Sequence, residues 1–198
     1  MDSVRDLGVE DGISADGLTV RWDHGLAIAS LRYFDPAGSF ATGVGGVLGG
    51  PLPAPLRADR RAFVAAGDCA EGAARAESEL ALAWRSPTET LLLTTDHGPV
   101  AAVSAFAADR SDGCLVDQTG GILTLVVVGD RAPDLLSRLG SVDSIPALGE
   151  ARTSRLAELS AMSLCTRPGE IMLLVERVYA RHLFGWIRET VAETAILR

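Results

Sequence analysis

The sequence predicts an α+β fold: strand hairpins alternating with short helices, building a mainly antiparallel or mixed sheet with helices laid over it. A hairpin-plus-helix unit recurs three times, over Glu79–Asp109, Cys114–Leu139 and Arg152–Glu193. Two copies open their helix with the same local chemistry, Asp96-His-Gly-Pro99 and Asp130-Arg-Ala-Pro133. A carboxylate at the N-cap accepts orphan amide protons of the first turn, and proline fits there because its missing donor has no helical partner. A chain of 198 residues buries about 70% of its unfolded surface, so one compact domain needs no disulfide or metal staple. Within it, 1–78 reads as an arm, a hairpin and a Gly/Pro-rich loop, and 79–198 as the repeat region.

Residues 1–17 are acidic and glycine-rich and read as a loose arm. Leu18–Trp22 and Leu26–Phe34 read as a hairpin turning at Asp23-His24-Gly25. Glycine, proline and alanine dominate 36–55, including Gly43–Gly50, which predicts a long loop of the kind that is usually functional or mobile. Arg57–Cys69 and Glu71–Glu79 read as short helical turns. In the first repeat Leu80–Trp84 turns at Ser86–Thr88 into Thr90–Thr94. In the second, Leu115–Val116 leads through Thr119–Gly121 into Leu123–Val128. In the third, Leu156–Thr166 turns at Arg167–Glu170 into Ile171–Val175. Tyr179, Leu183, Trp186, Ile187 and Val191 then recur at helical spacing and predict one apolar face over the sheet, with Arg181, Arg188 and Glu189 turned away. Gly185 inside that helix costs about 1 kcal/mol relative to alanine, which close packing would explain.

Composition removes several function classes. The chain has no lysine, no asparagine and a single glutamine, Gln118. Schiff-base chemistry, a phosphate-loop lysine and a lysine base are therefore excluded. The net charge of −8 argues against nonspecific nucleic-acid binding and suits a soluble protein, or a subunit that meets a basic surface on a partner. Met1–Asp6 lacks the basic flank and apolar core of a signal peptide, and the longest apolar runs fall far short of the ~20 residues that span a bilayer. Cys69, Cys114 and Cys165 are odd in number and show no Cys-x-x-Cys spacing. They suit a reduced, cytoplasmic setting and inert core or edge positions.

No set of residues forms a convincing catalytic constellation. The glycines of 43–50 do not follow the dinucleotide fingerprint, because its sixth position falls on Leu48 and prolines follow where a helix should open. Asp23-His24 and Asp96-His97 lie in glycine turns and would need to converge with a further ligand to hold zinc. Solvated turn residues explain them as well, and His182 reads as a packed or solvated helix edge. No serine occupies a Gly-x-Ser-x-Gly elbow. Glu77/Glu79 and Asp109/Asp112 read as solvated charges at helix ends or loops. Arg57, Arg60 and Arg61 form the one compact basic patch, partly offset by Asp59, either a salt-bridged surface or a dock for an acidic neighbour. Trp22, Trp84 and Trp186 read as core or half-buried, although tryptophan and arginine also anchor interfaces.

Three segments in order carry a resemblance: Leu82-Ala-Trp84 with Pro87–Leu93, Leu115-Val-Asp-Gln118 with Leu123–Val126 and Gly129–Leu136, and Arg167–Val175 with Tyr179–Trp186. Over about 79–192 the chain resembles the gamma subunit of heterotetrameric sarcosine oxidase, a family related to the folate-binding domain of glycine-cleavage aminomethyltransferases. The resemblance implies an aminomethyltransferase-domain-like fold and a noncatalytic small subunit, with larger alpha and beta subunits as partners. Those partners would carry FAD, FMN, NAD and tetrahydrofolate, and this chain would bind no cofactor or metal. Residues 140–149 lack the cysteine-proline-leucine-aspartate run expected of the family, and the N-terminal third is longer. The parent enzyme would then demethylate an N-methyl amine or amino acid other than sarcosine.

On that reading the loop at 36–55 and the N-terminal arm are the expected partner contacts, with Tyr33, Phe34, Arg57, Arg60 and Arg61 as candidate residues. A second reading is a free-standing folate-binding protein that transfers one-carbon units, with Asp117 for the pterin edge and Arg131 for the glutamate tail. A third is a scaffold unrelated to oxidases.

Overall fold

Leu18, Val20 and Trp22 alternate with Thr19 and Arg21, the period-two pattern of a strand with one buried face, and they form β2 (Leu18–Asp23). The computed structural model describes residues 7–8, 10–64 and 77–196. Contacts divide the chain into a terminal unit, Met1–Gly25 with Thr119–Arg198, and a central unit, Leu26–Gln118. The expected boundary at 78/79 falls inside β5 (Glu77–Ser86).

The terminal unit is a six-stranded antiparallel sheet in the order β1-β2-β8-β11-β10-β9. Its further strands are β1 (Gly12–Ala15), β8 (Ile122–Val128), β9 (Glu150–Leu156), β10 (Leu159–Arg167) and β11 (Glu170–Glu176). Trp22 pairs with Leu125 and Leu125 with Leu173, so one face carries a continuous apolar row. Helices α3 (Ala132–Leu139) and α4 (Arg177–Ile196) contribute Leu135, Leu136, Leu139, Leu183, Phe184, Ile187 and Val191 to the same core. A short 3-10 turn, Val142–Ser144, is tied to β10 by the Ser163 hydroxyl, which donates to the Ser144 carbonyl at 2.6 Å. Gly129 links β8 to α3 with φ +125°, and a Cβ there would lie 2.0 Å from the Gly17 carbonyl oxygen, so only glycine fits.

Several local expectations change here. Part of the supposed arm, Gly12–Ala15, is β1, hairpinned to β2 through Asp16 and Gly17, both at positive φ. Met1–Asp6 lie outside the described residues. The segment Leu156–Thr166 is not one strand: it breaks at Ala157 and Glu158, with φ of +49° and +66°, into the β9–β10 hairpin. Asp130 does not cap α3; the N-cap is Arg131, without a side-chain hydrogen bond, and Pro133 follows in the first turn. On α4, Leu183, Ile187 and Val191 are buried as expected, but Tyr179 and Trp186 are exposed, and Ala180 and Phe184 take their place in the core.

The central unit is a five-stranded antiparallel sheet in the order β4-β5-β6-β3-β7. The strands are β3 (Ala27–Tyr33), β4 (Ala58–Val64), β5, β6 (Glu89–Thr94) and β7 (Gly113–Asp117). The predicted turn at 86–88 is present between β5 and β6, where Leu82 pairs with Leu92. Helix α2 (His97–Ala107) opens as expected: Asp96 is its N-cap and accepts from the Gly98 amide at 3.0 Å. The glycine run is not a loop. Residues Ser39–Val47 form helix α1, burying Phe40, Ala41 and Val44, with Leu48 beneath its C-terminal end. Gly43 faces Phe106 so closely that a Cβ would stand 2.3 Å from the ring, and Gly45 faces Gly50 and Pro51. These glycines let the helix approach its neighbours, which outweighs their poor helix propensity.

Residues 58–64 are strand rather than helical turn, because Ala58 to Val64 ladder against β5. Residues 65–76, including Cys69, lie outside the described residues, and Glu77 and Glu79 belong to β5 rather than a helix end. Two expected hairpins are sheet changes instead. Strands β2 and β3 flank Asp23-His24-Gly25 yet join different sheets, as do β7 and β8 around Thr119–Gly121.

Candidate functional site

At one end of the central sheet, β3, β6 and β7 stop short of a hollow of about 590 Å³. Tyr33 and Phe34 are chain neighbours, so strand alternation sends them opposite ways. The Tyr33 ring is buried at 4% exposure, and its hydroxyl shares a 2.9 Å hydrogen bond with Thr90. Phe34 is 82% exposed and forms an apolar wall of the hollow. Of these two expected contact residues, the Tyr33 ring is core and Phe34 offers surface.

Two guanidinium–carboxylate pairs flank Phe34. Arg110 binds Asp112 in bidentate fashion, Nε to Oδ1 at 2.9 Å and Nη2 to Oδ2 at 2.7 Å, and also donates to Ser39 Oγ at 2.6 Å. Its guanidinium lies 4.8 Å from the centre of the Phe106 ring, a cation–π arrangement that fixes the side chain further. The Arg110 hydrogen bonds, then that of the Ser39 hydroxyl, hold the Asp112 carboxyl down at about 2. On the other side Glu89 is largely enclosed. It accepts from Ser30 Oγ at 2.5 Å and from Arg85 Nη1 at 3.3 Å, with Arg32 Nε at 3.7 Å. Cys114 pairs across the strands with Arg32 and opens into the hollow as an exposed free thiol.

The arrangement presents a surface that a partner could contact. The hollow's lining pairs its charges internally, has no histidine beside the thiol, and offers an aromatic wall with rigid donors at its rim. Arg110 and Glu89 escaped sequence reasoning; the available signal was the Asp109-Arg-Ser-Asp112 cluster, which reads as solvated charge until Ser39 and Phe106 are brought to it.

The other sequence candidates separate. Arg57 is exposed beside β4, its carbonyl accepting from the Trp84 amide at 3.0 Å. Arg60 lies 3.7 Å from Glu79, and Arg61 donates to the Pro51 carbonyl at 2.8 Å and pairs with Asp59. Arg60 and Arg61 are thus half-buried and paired with groups of their own unit, whereas Arg57 is exposed. Asp117 is exposed at the end of β7 in the central unit, whereas Arg131 belongs to the terminal unit and lies 3.6 Å from Asp16. His24 lies 3.6 Å from Asp11 in the terminal unit, and His97 opens α2 in the central one. Cys165 is buried, and burial pushes its thiol up. Among the described residues no group of three His, Cys, Asp or Glu side chains could hold a metal ion, and no helix is long and apolar enough to cross a membrane.

No protein-family model matches this sequence, and no curated protein matches it by sequence. Solved structures do match its fold. One chain of the heterotetrameric sarcosine oxidase from Corynebacterium sp. U-96, solved in complex with pyrrole 2-carboxylate, superposes with a TM-score of 0.73 and 17% identity. That match covers 92% of this chain and 88% of the other. The glycine cleavage system aminomethyltransferase T from Bartonella henselae matches with a TM-score of 0.58 and 13% identity. Here 86% of this chain is covered but only 45% of the other, so the chain spans less than half the aminomethyltransferase. The α+β fold expected from the sequence is therefore shared with both proteins.

Proposed function

We propose that this chain is the noncatalytic small subunit of a heterotetrameric, flavin-dependent oxidase resembling sarcosine oxidase. Its work is to complete and stabilise the assembly, and the larger alpha and beta subunits carry FAD, FMN, NAD and tetrahydrofolate. The complex would oxidatively demethylate an N-methyl amine or amino acid. One observation supports this above the others: the likeness to one chain of the sarcosine oxidase heterotetramer runs nearly the full length of both chains. The aminomethyltransferase likeness leaves more than half of that enzyme unmatched, so it supports a shared fold better than a shared activity. The exposed Phe34 wall, held between guanidinium–carboxylate pairs, is a surface that suits contact with a partner.

Mild affinity capture of the tagged chain from its own source, followed by native mass and visible absorbance, tests the proposal. Large flavin-coloured partners are expected. A lone, colourless chain would overturn it, and titration with tetrahydrofolate would then decide whether the chain is a free-standing one-carbon protein.

A further inference from the structure

Helix α4 has two faces that follow from its sequence. Ala180, Leu183, Phe184, Ile187 and Val191 are buried in the terminal core, and the opposite side holds large apolar groups that the fold leaves uncovered. Val178 is 77% exposed, Tyr179 45% and Trp186 47%. Val178, His182 and Trp186 stand four residues apart, one ridge along the helix, and the His182 and Trp186 rings lie 6.4 Å apart. The neighbouring row, also four apart, is Arg177, Arg181 and Gly185.

Gly185 is the second observation. Among ordinary residues glycine is the worst helix former after proline. At Gly43 that cost is matched by close packing on Phe106, but a Cβ at Gly185 would meet no heavy atom within 4 Å. The expected intramolecular reason for this glycine is absent. A notch beside a ridge of i+4 spacing is what an approaching helix needs to bring its axis close.

Charge selects the partner. The chain carries a net −8, yet the row beside the ridge is cationic at Arg177 and Arg181, while Glu189 follows toward the C-terminal end. A helix with carboxylates opposite the N-terminal half of α4 is attracted here, and tryptophan, tyrosine and arginine are the side chains that most often anchor interfaces. We infer that the outer face of α4 docks an amphipathic helix of the larger subunit, its apolar stripe on Val178, His182 and Trp186 and its acidic stripe on Arg177 and Arg181. The inference rests on the proposed subunit role and names the surface that performs it.

The test uses the full chain in extract from its own source, with a photoreactive benzophenone residue in place of His182. Three further forms are captured in parallel: Gly185→Leu, the double variant Arg177→Glu/Arg181→Glu, and Val142→Ser as an exposed control away from α4. A Cβ at 185 meets no neighbour and leucine improves helix propensity, so this variant is expected to fold, which its unfolding midpoint checks. The expected result is that both α4 variants retain at most about a tenth of the flavin-coloured partner while Val142→Ser retains it all. The cross-link should map to an acidic helix of the larger chain. Full capture by Gly185→Leu, or a cross-link to a second copy of this chain, overturns the inference and leaves the subunit role standing. A wild-type chain that captures no flavoprotein overturns the subunit role and the docking face with it.

Discussion

The terminal and central units are both antiparallel sheets with two helices and an aliphatic core, yet their helices close on their neighbours by different means. In the terminal unit large aliphatic side chains fill the space between sheet and helix: Leu125 and Leu173 from the strands, Leu136, Leu183 and Ile187 from the helices. In the central unit, α1 gives up side chains. Gly43 and Gly45 bring its backbone against Phe106 and Pro51, and Gly113 accepts the Phe40 ring, with a hypothetical Cβ only 2.4 Å from it. Where aliphatic side chains fill the gap under a helix, removing atoms does the damage; where glycines close it, adding them does.

The largest effect expected is from shrinking the terminal core. Leu173→Ala, at a position with no exposure, should lower stability by about 2–5 kcal/mol in denaturant titration. A smaller cost would mean that the sheet collapses around the void and that the contrast with the central unit is weaker than drawn. Next comes a matched pair in which the same substitution is made in two helices. Gly43→Ala should destabilise by about 1–3 kcal/mol, because the Phe106 ring must move and disturb Arg110. Gly185→Ala should stabilise by up to about 1 kcal/mol, because nothing opposes the gain in helix propensity. Equal signs for the two would break the comparison.

A third variant sharpens it within the terminal unit. Glu158 holds φ at +66° in the β9–β10 turn, so Glu158→Gly should relieve backbone strain and raise the unfolding midpoint, a gain of about 0.5–1 kcal/mol. Losing the exposed Arg155–Glu158 pair should cost little against it.

The smallest effect is a pH dependence confined to the central unit. Asp112 is held at about 2 by Arg110 and Ser39, below its unfolded value near 4. Its folded form is therefore favoured when ionised, so the contribution is complete above the unfolded value and fades as pH falls from about 4 to about 2. The difference in unfolding midpoint between wild type and Asp112→Asn should be flat above about pH 5 and shrink through that window. A difference that persists unchanged at pH 2 would show that the carboxylate's charge is not what holds the Arg110 cluster.

What the sequence made legible was local. Asp96 announced α2, the Ser86–Thr88 turn announced the β5–β6 hairpin, and Leu183, Ile187 and Val191 announced α4. What it hid was pairing at a distance. The short turns after β2 and after β7 look like hairpin turns, because nothing within a few residues distinguishes a strand that pairs with its neighbour from one that pairs far away. Trp22 finds Leu125, and Ala29 finds Asp117 and Leu92. Helix α1 was hidden differently: Phe40, Val44 and Leu48 repeat at helical spacing, but the glycines between them argue for a loop until Phe106 is known to lie against them. On α4 an arc of the wheel through Tyr179 and Trp186 is as apolar as one through Ala180 and Phe184, and only the packed core chooses. The hollow was not legible in the sequence, because Glu89 and Arg110 meet Ser30 and Ser39 only through pairing far along the chain.

The terminal unit is assembled from both ends of the sequence, with the central unit threaded between them. This nesting fixes an order of events on the ribosome. Strand β2 emerges before β8 and has to wait for it before it can lie in its sheet, because Trp22 pairs with Leu125. At typical elongation rates that wait lasts roughly ten seconds. During it the β1–β2 hairpin has an unclaimed edge, while the central sheet can close by itself. The chain therefore matures from the inside outward, and the interval before β8 arrives is when a chaperone has most to protect.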